Sequence, residues 1–279
     1  MQNTLCTSSS SLKNQIKLVV SDLDGTLLNS QHQLTDKTIE TVQRLVKDGF
    51  QFMLATGRHY QDVHVIAQQL GVEMGLITSN GARVHGQCGT LLYESQMPSN
   101  LVEQVLDISK NFAVHRNLYQ QDYWLVEEPH DVLLSIHHAS GFKYQLCDFS
   151  DIDLNYIDKI YFTAEHDVLV ELETALKNVL DDHLYITFTS PQYLEVMNLG
   201  VSKAKALEFI EQQRGIELNQ IMAFGDGMND KEMLKLAGHG VVMDNACQKV
   251  KGFLADLPRA ASNDEEGVAS YLHEQFWQC

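Results

Sequence analysis

Residues 16–20 form a short apolar run rich in branched side chains that breaks off at Ser-Asp-Leu-Asp-Gly, which predicts a buried strand ending in a turn. Over residues 35–48 the apolar positions Ile39, Val42, Leu45 and Val46 recur at helical spacing, with Thr35 as candidate N-cap and Gly49 as candidate C-cap. The same reading predicts a strand at 52–55, a helix at 60–70 closed by Gly71, and a strand at 75–78. Strand and helix alternate, which predicts an α/β fold: a mostly parallel sheet with helices on both faces and a ligand crevice at the carboxyl ends of the strands. The pattern resumes late, with helices at 202–214, 230–237 and 266–276 and strands at 221–224 and 240–243. Between residues 86 and 191 it changes to strands of mixed polarity, such as 158–163, and helices such as 167–180. Segments 16–85 and 192–279 therefore read as one core, 86–191 as an inserted second domain, and 1–15, polar and serine-rich, as a flexible tail.

A length of 279 residues suits two units, at roughly 100–200 residues per domain. The chain carries 37 acidic against 20 basic side chains, a formal charge of −17, which repels nucleic-acid backbones and anionic membranes. An anionic ligand would have to meet locally supplied positive charge from a metal, a lysine or a helix N-terminus. The five cysteines, Cys6, Cys88, Cys147, Cys247 and Cys279, are odd in number and include no Cys-x-x-Cys pair, so a reduced, cytoplasmic setting is expected. The tail lacks the apolar core of a secretory or lipoprotein signal, and no apolar run approaches the ~20 residues needed to cross a bilayer.

Polar residues immediately after strands carry the candidate chemistry. Asp22-Leu23-Asp24-Gly25-Thr26 places two carboxylates at the crevice beside a glycine that lets the chain turn back. Such a pair needs a proton or a cation between its members; the plain alternative is an Asp-Gly hairpin turn. Ala55-Thr56-Gly57-Arg58 follows the second strand, where Thr56 offers a hydroxyl and the following amides can face an anion, or where Thr56 simply caps a helix. Lys203 stands in the first turn of a helix, a place that favours acidic residues, so it is either a surface lysine or the cation of an anionic site. Phe224-Gly225-Asp226-Gly227-Met228-Asn229-Asp230 brings two more carboxylates to the same edge, without the alternating pattern of a calcium loop. Jointly these segments hold the inventory for Mg²⁺ and a phosphoryl group.

Asp22-x-Asp24-Gly25-Thr26, Thr56, Lys203 and Gly225-Asp226-Gly227-x-Asn229-Asp230 resemble, in order, the four motifs of the haloacid dehalogenase superfamily of phosphatases. Ala55-Thr56-Gly57-Arg58, Thr78-Ser79-Asn80-Gly81-Ala82 and Asn263-Asp264-Glu265-Glu266-Gly267-Val268 are similar to the further marks of its Cof-type members. The resemblance spans nearly the whole chain after the tail. It implies a Rossmann-like three-layer core with an inserted α/β cap that sets substrate specificity. Residues 78–85 and 193–197 look most like those of bacterial pyridoxal phosphate and sugar phosphate phosphatases.

The implied reaction is hydrolysis of a small phosphomonoester, pyridoxal 5′-phosphate or a sugar phosphate, by a monomer or weak homo-oligomer. Asp22 would be the nucleophile, and Asp24, its pKa raised by neighbouring carboxylates, the general acid and base. Mg²⁺ would be held by Asp22, the backbone carbonyl of Asp24 and Asp226. Thr56, Gly57, Lys203 and Asn229 would bind the phosphoryl group, and Asp230 would support the metal or Lys203. Arg58 adds charge or lies at the surface. Tyr119, Tyr123, Trp124, His137, His138 and Tyr144 could contact substrate, but cap packing is the expected fate of most. His137 and His138 would face opposite ways in a strand, against joint metal ligation. The competing readings are a phosphotransferase or phosphomutase of the same superfamily, and a phosphometabolite-binding regulator without turnover.

Overall fold

The computed structural model describes residues 12–138 and 140–278. Its first sheet has eight strands in the order β14-β13-β12-β1-β2-β3-β4-β5, and its second six, in the order β10-β11-β9-β6-β7-β8. The first sheet is built from β1 (Leu18–Ser21), β2 (Gln51–Ala55), β3 (Gly75–Thr78), β4 (Arg83–His85), β5 (Leu91–Glu94), β12 (Ile221–Gly225), β13 (His239–Met243) and β14 (Arg259–Ala260). β1 lies centrally, parallel to both β12 and β2, with Leu18 opposite Ile221 on one side and Gln51 on the other. Only the β3–β4–β5 end is antiparallel.

Because strand side chains alternate, this sheet feeds two apolar layers. Val19, Phe52, Leu54, Met222 and Phe224 pack against helices α1 (Asp36–Lys47), α2 (Tyr60–Gln68) and α9 (Gly267–Phe276). Leu18, Val20, Met53, Ala55, Ile221 and Ala223 pack against α6 (Lys203–Arg214), α7 (Lys231–Leu236) and α8 (Gln248–Phe253). The result is a three-layer α/β/α core with Thr35 as N-cap of α1, its side chain accepting from the Thr38 amide.

The second sheet comprises β6 (His115–Gln120), β7 (Tyr123–Val126), β8 (Tyr144–Leu146), β9 (Ile157–Thr163), β10 (Leu184–Ser190) and β11 (Tyr193–Asn198). One face buries Leu118, Ile160, Phe162 and Leu194 under α3 (Ser99–Ser109) and α5 (His166–Leu180). The other carries Tyr119, Trp124 and Tyr161, against which Leu133 of α4 (Asp131–Ile136) and Phe142 pack.

Three boundaries differ from the sequence reading. β5 falls inside the expected insertion yet pairs with β4 of the first sheet, because the chain extends the sheet antiparallel before leaving it. β11, expected in the returning core, is sandwiched between β10 and β9 of the second sheet. The chain thus changes sheets near Ser95 and Asn198, which touch through a 3.1 Å bond from Asn198 Nδ2 to Ser95 Oγ, and we propose that the cap runs between these two points. The end of the expected tail, residues 12–15, forms a helical turn whose Leu12 packs on the core, while residues 1–11 lie outside the described part. His137 and His138 follow α4 in a turn, so the argument from strand alternation does not apply to them.

Candidate active site

Asp22 and Thr56 prolong the parallel ladders by one residue, Asp22 N–H donating to Phe224 O at 3.0 Å and Thr56 N–H to Ile77 O at 2.9 Å. Their side chains thereby stand at the carboxyl edge of the sheet, where β12 delivers Asp226. Asp22, Asp226 and Asp230 each present a carboxylate oxygen within 4.8 Å of one another. Gly25 permits this crowding: its φ is +75°, and a Cβ there would lie 2.5 Å from Asp226 Oδ2. Thr26 Oγ1 donates to Asp226 Oδ1 at 2.9 Å, orienting that carboxylate.

Lys203, the first residue of α6, is wholly buried. Its ammonium donates to Asp22 Oδ1 at 2.5 Å and Asp230 Oδ1 at 2.6 Å, which removes the surface-lysine alternative. Gly81, at φ +101°, lets the loop after β3 press against the Ser202 carbonyl and seat this helix start. Asp230 spends its other oxygen on the amides of Asp226 (3.0 Å) and Gly227 (2.8 Å), so it braces the turn as well as the lysine.

Burial pushes the Asp22 carboxyl well above the usual range; Lys203 opposes this, while Asp230 and Asp226 add to it. Asp226 is pushed to about 7 by burial and then by Asp230. Carboxylates this close that resist ionising are a donor set lacking charge, and hard oxygen ligands of this kind fit a divalent cation such as Mg²⁺.

The side chain of Asp24 turns away from this cluster. Arg58 grips it twice, Nε to Oδ2 at 2.7 Å and Nη2 to Oδ1 at 2.5 Å, and His32 Nδ1 lies 3.3 Å from Oδ1. Burial raises its pKa, but the hydrogen bonds of His32 and Arg58 and the Arg58 charge outweigh that and hold it below the usual carboxylate range. This corrects the expectation of a raised pKa: the neighbours that act on Asp24 are an imidazole and a guanidinium rather than carboxylates. Arg58 itself is buried, not at the surface.

Thr56 Oγ1 accepts from the Arg58 amide at 3.1 Å and does not cap α2, whose N-cap is His59. Asn229 Nδ2 donates to Asn80 Oδ1 at 2.9 Å. Thr56, Gly57, Asn229 and Asp230 line, with Asp22, Asp24 and Asp226, one cavity of ≈370 Å³. Its roof comes from the second sheet and includes Tyr119, Lys159, Tyr161, Tyr193 and Glu195. Lys159 Nζ donates to the Gly57 carbonyl at 2.7 Å and to Glu195 Oε1 at 2.9 Å, tying roof to floor, and Asn80 Nδ2 also donates to Glu195.

Lys159, Glu195 and Tyr161 escaped the sequence reading. A charged residue flanked by large apolar ones within a strand is the signal that could have found Glu195, between Leu194 and Val196; Lys159, beside Asp158, carries no such mark. Of the aromatic candidates, Tyr119 and His137 line the cavity. Trp124 is buried with its ring N–H on Asn117 Oδ1, and Tyr144 packs edge-on against it. Tyr123 and His138 are exposed.

Residues 19–272 match the family profile described as haloacid dehalogenase-like hydrolase. A Haemophilus influenzae relative is 41% identical over 266 residues, which cover 93% of this chain and 97% of its own. The HMP-PP phosphatase of Cronobacter sakazakii is 37% identical over 251 residues, 90% of this chain and 92% of its own. Among solved structures, a haloacid dehalogenase-like hydrolase from Bacteroides thetaiotaomicron superposes with a TM-score of 0.84 at 27% identity, covering 94% of this chain and 100% of that one.

Proposed function

Since the chain belongs to the haloacid dehalogenase-like hydrolases and is a phosphatase of that type, we propose that it hydrolyses small phosphomonoesters through an aspartyl phosphate on Asp22, with Mg²⁺ as cofactor. The observation that carries this reading is Asp22 itself, held by Lys203 at the end of the central strand and facing a cavity lined by Thr56, Gly57 and Asn229. Lys203 fixes Oδ1 of Asp22, which leaves Oδ2 to attack phosphorus in line. The phosphoryl oxygens would be received by the Thr56 hydroxyl, the Gly57 amide, the Asn229 amide group and the Lys203 ammonium.

As the Asp22–phosphorus bond forms, the bond to the leaving oxygen breaks and Asp24 delivers a proton to that oxygen. The resting Asp24 is a carboxylate, so this proton is drawn from the pair it makes with His32, whose pKa is raised first by its hydrogen bond to Asp24. In the second half Asp24 takes a proton from water, which attacks phosphorus and releases Asp22. Mg²⁺, bound by Asp22, Asp226 and the Asp24 backbone carbonyl with Asp230 in support, would supply neutralising charge to the phosphoryl oxygens.

No described helix is long and apolar enough to cross a membrane. The described cysteines Cys88, Cys147 and Cys247 are free, which supports a reduced, cytoplasmic setting. The test is phosphate release from HMP-PP, the substrate that names the Cronobacter sakazakii relative, and from pyridoxal 5′-phosphate and sugar phosphates. Each is assayed with Mg²⁺ or EDTA, using wild-type and Asp22→Asn protein. Release that needs Mg²⁺, needs no acceptor and vanishes in the variant is expected. Full turnover in EDTA, or turnover by the Asn variant, would overturn the mechanism.

A further inference from the structure

Asp62, on α2 one turn beyond Arg58, is a fully buried carboxylate that no motif singles out. Arg58 Nη1 donates to its Oδ2 at 3.1 Å, so one guanidinium is shared between Asp62 and Asp24. The other donors to Asp62 come from the far side of the cavity. His137 Nδ1, 2.9 Å from Oδ2, donates to it, since an ionised carboxylate only accepts, and the Ser140 hydroxyl donates to Oδ1. Both belong to the segment between β7 and β8 of the second sheet.

The two anions compete for one cation. A buried carboxylate must have its oxygens satisfied, and with Arg58 as its sole donor Asp62 would draw the guanidinium fully onto itself. Docking of the second sheet brings His137 and Ser140 to Asp62, and Arg58 is then free to present Nε and Nη2, its bidentate edge, to Asp24. We propose that Asp62 is a positioning residue that reads whether the cap is docked and, through Arg58, sets Asp24 for proton transfer only when it is. Asp24 thereby becomes competent in the closed enclosure, where the leaving group is confined and water excluded. The inference rests on the proton-transfer role proposed above for Asp24.

The experiment compares kcat/KM for two substrates with opposite needs. An alkyl phosphomonoester requires a proton on its leaving oxygen; p-nitrophenyl phosphate, whose leaving group is already a stable anion, does not. General acid catalysis contributes about 10²–10⁴-fold, so misplacing Asp24 should remove a good part of that from the first substrate alone. Asp62→Asn, nearly isosteric, is expected to lower kcat/KM for the alkyl ester by about 30-fold or more and for p-nitrophenyl phosphate by no more than about threefold. Ser140→Ala, which acts from the cap side and leaves Asp62 in place, should show the same asymmetry at smaller size, and adding it to Asp62→Asn should cause no further loss. If Asp62→Asn fails to fold, Ser140→Ala carries the comparison. Equal losses on both substrates, or none, in variants that still release phosphate with Mg²⁺ would overturn this inference and leave the phosphatase reading intact. Absence of Mg²⁺-dependent release by the wild-type protein would overturn both.

Discussion

Replacing Lys203 with methionine keeps the length and apolar stem of the side chain and deletes a cation that is wholly buried, 2.5 Å from Asp22 and 2.6 Å from Asp230. Removing one partner of a buried ion pair costs about 3–5 kcal/mol, because the charges left behind can neither pair nor reach water. Two carboxylates are orphaned here, but protonation limits the loss, so the same range is adopted. At about 2–4 °C per kcal/mol for a chain of this size, Tm should fall on the order of 10 °C in EDTA. The deficit must also grow with pH. Lys203 has its own pKa raised by Asp22 and Asp230 against the opposing effect of burial, so in the wild-type protein its pairing is fully present from pH 6 to 8. In the variant, Asp22 loses the cation that opposes the effect of its burial, so its folded pKa, already above that of the unfolded chain, rises further. Each proton the folded state then holds in excess lowers stability by about 1.4 kcal/mol for every pH unit of increase. Mg²⁺ should restore part of the loss by occupying the same carboxylates. Calorimetric unfolding of both proteins at pH 6, 7 and 8, with EDTA or Mg²⁺, measures all three effects. Equal stability at pH 8 in EDTA, or a deficit that shrinks as pH rises, would refute the assignment of Lys203 as the counter-charge of this cluster.

Asp158 offers a pH test remote from the carboxylate cluster. It is fully buried, its oxygens have no hydrogen-bond donor among the described residues, and burial pushes it up to about 8, with Arg83 opposing. Its stabilising contribution is therefore complete below about pH 4, where both states are protonated, and declines as pH rises toward 8. Asp158→Asn should flatten the dependence of Tm on pH between 5 and 8; an unchanged slope would show that the carboxylate is solvated or paired in solution. Lys159→Met should lower kcat/KM by about 10- to 100-fold, since a charged hydrogen bond contributes about 1.5–3 kcal/mol. Covalent labelling of Asp22 by substrate should persist in that variant, and loss of labelling would place Lys159 among the groups that carry the phosphoryl chemistry itself.

The acidic turns after β1 and β12 were legible because chemistry there is local: Asp22, Asp24, Asp226 and Asp230 follow apolar strands directly, and a parallel sheet puts such residues at one edge whatever their separation along the chain. Thr56 was legible for the same reason, and Lys203 because it stands where a helix start disfavours a cation. Arg58 was visible but its partner was not, since the choice between solvent and Asp24 depends on packing between residues 34 positions apart. Lys159, Glu195 and Asp62 were missed outright. Each lies inside a regular element, where sequence marks it only as a polar position, and each finds a partner in a loop or turn across the cavity: His137 for Asp62, Gly57 for Lys159 and Asn80 for Glu195.

The amino-acid order alone thus determined the alternation of strands and helices, the three-layer core and the inventory of oxygen ligands at its edge, because periodicity and turn chemistry act over a few residues. It could not determine where the inserted unit begins and ends, since β5 and β11 are assigned to their sheets by hydrogen bonds to strands elsewhere in the chain. Nor could it determine the protonation of Asp24. Three neighbouring carboxylates in the sequence argue for a raised pKa, and the hydrogen bonds of His32 and Arg58 together with the Arg58 charge, brought to Asp24 by the fold, reverse the sign. Electrostatic free energy depends on distance and burial in three dimensions, and those quantities exist only once the chain has closed on itself.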